Sequence, residues 1–111
     1  MPINRIQFIP LIGIDTTLLT NEYTLLNTGG LPNACYQFRF SNSSPNTIII
    51  SFDGINDHLT LLSDDEFFLP VMYASIPNNM TALWPSGQFI YARSATADEG
   101  GLFISGIYLQ E

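Results

Sequence analysis

Cys35-Tyr36-Gln37-Phe38-Arg39-Phe40-Ser41 is the stretch that decides the fold. Tyr36, Phe38 and Phe40 alternate with Gln37, Arg39 and Ser41. A period of two sends successive side chains to opposite faces of a sheet, one apolar and one polar. Asn42 to Asn46 then reads Asn-Ser-Ser-Pro-Asn, a turn composition. Thr47-Ile48-Ile49-Ile50-Ser51-Phe52 resumes an extended pattern, and Asp53-Gly54 closes it. Two strands around a Ser/Pro/Asn turn predict a β-hairpin.

Working outward, the same punctuation recurs. Arg5 to Ile9 reads as a strand with Ile6 and Phe8 on one face, and Pro10 ends it or marks a sheet edge. Thr17 to Leu26 carries threonines and Tyr23 that favour a strand over a helix. Asn27-Thr28-Gly29-Gly30 is a turn, extended by Pro32-Asn33. His58 to Leu62, Phe67 to Ser75, Ala82 to Trp84 and Gln88 to Ala92 are further extended pieces. Gly101 to Leu109 is the last, with Phe103, Ile107 and Leu109 on one face and Ile104 and Tyr108 on the other. The total is about eight short strands with no sustained helical period, which predicts an antiparallel β-sandwich, jelly-roll or immunoglobulin-like. The 111 residues suit one such domain, 1–111, with 1–15 as an N-terminal arm contacting a neighbouring subunit.

Composition narrows the function classes. Apolar residues make up 46% of the chain, enough for a core. Charged residues make up only 12%, against roughly 25% in an ordinary soluble domain. There is no lysine, and Arg5, Arg39 and Arg93 are the only bases. Soluble monomers protect their surfaces and sheet edges with exposed Lys and Glu. A surface without them predicts burial in an assembly. The net charge of −7 and three scattered arginines argue against binding nucleic acid or an anionic membrane. Cys35 is alone, so the chain has no internal disulfide and reads as folding on its core in a reducing compartment. The first residues lack the continuous apolar region of a signal peptide. No apolar run reaches transmembrane length. The sequons at Asn42 and Asn79 carry little meaning in that compartment.

Five groups of residues are candidate sites. Asp53, Asp57 and His58 are candidate metal ligands, but their spacing is not that of an EF-hand, and the segment reads as a tight turn with Gly54 at positive φ. Asp64-Asp65-Glu66 reads as a solvated turn rather than an acid/base pair. His58 has no serine in a nucleophile context beside it. Cys35 reads as a small buried hydrophobe. Tyr73, Trp84, Phe89, Tyr91, Phe103 and Tyr108 offer aromatic faces for sugar stacking or for packing, with Trp84 beside Pro85 the best placed for exposure. The expectation is a protein without catalytic residues, cofactor or metal. Its interface residues would be Ile3, Ile6, Phe8, Trp84, Tyr91 and Tyr108.

Certain motifs also carry a resemblance. Phe38-Arg39-Phe40-Ser41-Asn42, then Ile48-Ile49-Ile50-Ser51-Phe52-Asp53-Gly54, then Asp57-His58, resembles small virion proteins of tailed bacteriophages. Gly87-Gln88-Phe89-Ile90-Tyr91-Ala92-Arg93 followed by Gly100-Gly101-Leu102-Phe103-Ile104-Ser105-Gly106 is similar to the close of the same group. The resemblance spans residues 36–108 and leaves the first thirty-odd unmatched. It implies β-sandwich subunits that decorate or cement capsids, join head to tail or seat fibres, made in the host bacterial cytoplasm and resident in the virion. The implied partners are further copies of the chain and a capsid, portal or tail protein. The alternative it leaves is a receptor- or glycan-binding module of a phage tail or fibre.

Overall fold

A computed structural model describes residues 5–35, 37–70, 73–74, 80–81 and 84–110. Eleven strands follow one another: β1 Arg5–Phe8, β2 Ile12–Asp15, β3 Thr24–Leu25, β4 Gln37–Ser43, β5 Ile48–Ser51, β6 Leu59–Leu61, β7 Glu66–Pro70, β8 Tyr73–Ala74, β9 Met80–Thr81, β10 Tyr91–Arg93 and β11 Gly101–Gln110. A 3-10 turn at Thr16–Leu18 is capped by the Asp15 side chain, which accepts from the Thr17 backbone N–H.

Two antiparallel sheets face each other. One runs β1-β11-β4-β7, with β2 also pairing β11. The other runs β3-β10-β5-β6. β1 and β2 together form one edge, because β1 pairs Phe8 with Ile107 while β2 pairs Ile12 with Ile104. The break between them holds Pro10, as its missing N–H requires. Counting that edge once and leaving aside β8 and β9, which pair with each other, the first strand pairs the last, the second the seventh, the third the sixth and the fourth the fifth. That nesting is the jelly roll, two Greek keys in a double sheet. The sandwich is therefore of the jelly-roll kind.

Alternation built the core. On β4, Phe38 and Phe40 are fully buried and Asn42 nearly so, while Arg39 is exposed. On β11, Leu102 and Ile104 point inward and Phe103 outward. Ile48 and Ile50 of β5, Leu61 of β6 and Ala92 of β10 complete the opposite wall, and Leu19, Leu31 and Ile90 close the ends. Each buried Leu, Ile or Phe side chain contributes about 1.5–3 kcal/mol.

Three expectations change. The segment around Asn42–Asn46 is not a hairpin, because β4 pairs β11 and β7 while β5 pairs β10 and β6. The chain turns a corner there from one sheet to the other. Buried polar groups hold that corner. The Asn42 amide donates to the carbonyls of Asn46 (2.7 Å), Leu62 (2.9 Å) and Leu61 (3.3 Å), and its Oδ1 accepts from Ser44 Oγ (2.6 Å). Within the arm expected over residues 1–15, β1 Arg5–Phe8 and β2 Ile12–Asp15 pair with β11 of the same chain. Finally, the expected strand at Thr17 to Leu26 shrinks to Thr24–Leu25, because the 3-10 turn and buried Leu19 take its first part.

Candidate functional site

The loop between β5 and β6 gathers most of the polar side chains singled out from the sequence. Ser51 ends β5, and its Oγ accepts from the backbone N–H of Gly54 (2.9 Å) and Asp53 (3.3 Å). Asp53 turns its carboxylate back onto the loop. Oδ1 accepts from the N–H of Ile55 and Asn56, both at 2.8 Å, and from Ser51 Oγ at 3.0 Å; Oδ2 accepts from Asn56 Nδ2 at 3.0 Å. Those bonds, the Asn56 amide first, hold the Asp53 carboxyl well below the usual carboxylate range. The capping residue of the loop is thus Asp53. Gly54 takes φ +74°, the left-handed conformation expected of it.

His58 Nδ1 accepts from the Phe52 N–H at 2.9 Å, which puts the neutral ring's proton on Nε2. Nε2 stands 3.9 Å from Asp53 Oδ2. His58 and Asp53 therefore meet, and Asp57 turns elsewhere. Its two oxygens face Arg93 Nε (3.0 Å) and Nη2 (2.6 Å), a bidentate pair, and the Tyr23 hydroxyl donates to Oδ1. Arg93 Nη1 also donates to Asn21 Oδ1 (3.0 Å), and its guanidinium lies 5.7 Å from the Tyr23 ring centre. Hydrogen bonding from Arg93, then from Tyr23, lowers the Asp57 carboxyl, and the Asp57 bond raises the Tyr23 phenol. The network fastens the 52–58 loop and the residues before β3 onto β10. Among the described residues, no three His, Cys, Asp or Glu side chains group as a metal site would need.

The acidic run splays apart. Asp64 takes φ +56°, the Asp65 carbonyl accepts from the Asn42 N–H (2.8 Å), and Glu66 pairs with Arg39 across β7 and β4. Cys35 is buried, its thiol within 3.4 Å of the Asn33 carbonyl, and burial pushes its pKa up, away from thiolate chemistry.

The aromatic residues do not share one platform. Trp84, expected to be exposed, stacks on Phe52 (4.5 Å, 26°) and lies 5.7 Å from Phe38. Two backbone bonds to Cys35 (2.7 and 2.9 Å) pin it there. Tyr91 and Phe89 pair at 6.4 Å, with Tyr91 under Gly54. Tyr108 packs against the core. Among the expected interface side chains that the structure describes, Phe8 stands well out, 70% exposed. Ile6 occupies the β1 position opposite Leu109, and Ile3 lies outside the described residues. The Asp57–Arg93 pair was missed, because its partners are 36 residues apart. The only signal for it was the scarcity of bases, which makes each arginine a candidate partner for one of the ten acids.

Comparison with protein-family models, curated proteins and solved structures finds no match for the chain. Among the described residues, no helix is long and apolar enough to cross a membrane.

Proposed function

We propose that this protein is a non-enzymatic structural subunit of a bacteriophage virion, decorating or cementing the capsid or joining head to tail. The observation that carries the reading is the surface. On a chain with only 12% charged residues, large apolar side chains stand out at Phe8, Leu11, Leu18, Ile55 and Leu62, each more than half exposed. Apolar side chains standing out on a surface so poor in charge favour protein partners. The jelly roll is an architecture that viral capsid domains use, and so do lectin domains and cupins. Fold alone does not choose among those, so the reading leans on the surface and on the sequence resemblance. The polar side chains of the 51–58 loop are spent on that loop's own amides and on Arg93, which suits a scaffold role.

The test is co-sedimentation. Purified protein should bind phage capsids or head-tail intermediates that lack it, at saturable stoichiometry. Absence of the chain from virions of the phage that encodes it, by mass spectrometry of purified particles, sinks the proposal.

A further inference from the structure

The outer faces of the two sheets differ in kind. The outside of the four-stranded sheet is overlaid by its own 52–58 loop and by the Tyr23–Asp57–Arg93 network. The outside of the five-stranded sheet has no such cover among the described residues. Register sets Phe8 beside Ile107, Ile107 beside Gln37, Ser105 beside Arg39, and Phe103 between Gly13 and Ser41. Two glycines let the Phe103 ring lie down on the sheet. A Cβ on Gly101 would stand 2.7 Å from that ring, and one on Gly13 3.2 Å. Beside it a depression of about 270 Å³ is lined by Phe8, Gln37, Phe38, Arg39, Ser105 and Ile107.

The charges on this face are few and arranged in opposition. Arg39 and Glu66 sit side by side on β4 and β7, still 46% and 50% exposed. Asp15 stands at the far corner, in the β2 position opposite Gly101. The chain as a whole carries −7, so two copies repel each other over most orientations. The Arg39–Glu66 pair makes this part of the face locally neutral, so the repulsion is weakest here. A copy turned in the plane of the sheet presents its Glu66 to Arg39 and its Arg39 to Glu66, the self-complementarity that identical subunits use. The area is also of the right order. Eight residues in the β1/β2 edge, ten in β11, seven in β4 and five in β7, in strands about 4.8 Å apart rising about 3.4 Å per residue, give roughly 490 Å² of projected sheet. A stable interface needs about 800 Å² of accessible surface per partner, and a surface roughened by side chains exceeds its projection.

We propose that a second copy of this chain docks on the outer face of the five-stranded sheet, over Phe8, Phe103 and Ile107, with the Arg39–Glu66 pair of each copy inside the contact. This deepens the assembly reading and rests on it for the choice of a copy as occupant. The experiment is native mass spectrometry with light scattering at micromolar concentration. It compares the wild type, the double variant Phe103→Asp/Ile107→Asp and the control Ile55→Asp, which changes an exposed residue of the other sheet's loop. Circular dichroism reports folding. A multimer for the wild type and the control, with a folded monomer for the double variant, is the expected result. If the double variant does not fold, Arg39→Glu takes its place: it should weaken self-association at least tenfold, and Arg39→Glu/Glu66→Arg should restore it. A wild type that stays monomeric overturns the inference, as does a multimer indifferent to all the face variants. Neither result touches the particle-binding test, which judges the virion reading by itself.

Discussion

At the scale of single residues, Asn42 does more for this fold than any charged group. It is 1% exposed and its amide serves three carbonyls from two loops. Removing a buried hydrogen-bonding partner costs about 1–3 kcal/mol for each group left unsatisfied. Asn42→Ala should therefore lower stability by about 3 kcal/mol in urea unfolding. A loss under about 1 kcal/mol would mean that water replaces the amide and that the corner does not depend on it. Asn42 lay in plain view in the sequence as the start of an expected hairpin turn, but it belongs to β4. Its role was not legible, because a hairpin turn and an inter-sheet corner use the same Asn, Ser and Pro. What separates them is where the side-chain amide finds acceptors, and Leu61 and Leu62 are 19 and 20 residues away.

Among elements, the long strands were legible and their partners were not. The alternation at Phe38 and Phe40, and at Leu102 and Ile104, gives a two-residue period that only a half-buried strand satisfies. The pairing of β4 with β11 depends on contacts about sixty residues apart, and no local pattern encodes them. Trp84 was misplaced for a similar reason. Its neighbours in sequence suggest a loop, while its neighbours in space are Phe52 and Phe38. The 51–58 loop offers a test of how tightly an element is fitted. Gly54 and Gly29 both hold positive φ, at +74° and +85°. A methyl on Gly54 would meet the Tyr91 ring at 3.2 Å, whereas one on Gly29 meets open space. Forcing an L-residue into that conformation costs about 1–2 kcal/mol. Gly29→Ala should lose about that much, and Gly54→Ala measurably more. Equal losses in chemical denaturation would show that Tyr91 yields freely.

For the whole molecule, the carboxylates set the acid limit. Asp53 is held low by the amides of Asn56 and Ile55, Asp57 by Arg93 and Tyr23, and Asp15 by Thr17. Each binds protons less readily folded than unfolded, where a carboxylate titrates at about 3.9. Their stabilisation is thus complete above the unfolded value and lost as pH falls through the lower folded values. Melting temperature should be insensitive to these groups above about pH 5 and should fall below about pH 4. Asp53→Asn should be less stable at pH 7 and show a shallower acid loss. Parallel pH curves for the two proteins would remove Asp53 from this account.

β11, the last described strand, lies between the β1/β2 edge and β4. On a ribosome, β1, β2 and β4 emerge long before their common neighbour does. Until residue 101 and those after it leave the exit tunnel, the five-stranded sheet consists of separated pieces with unpaired backbone edges. Phe38, Phe40 and the isoleucines of β5 then await the strand that covers them. Non-local pairing of this kind closes slowly and leaves sticky intermediates in the interval. Translation speed and chaperone supply while β11 is being made should therefore govern the soluble yield of this chain.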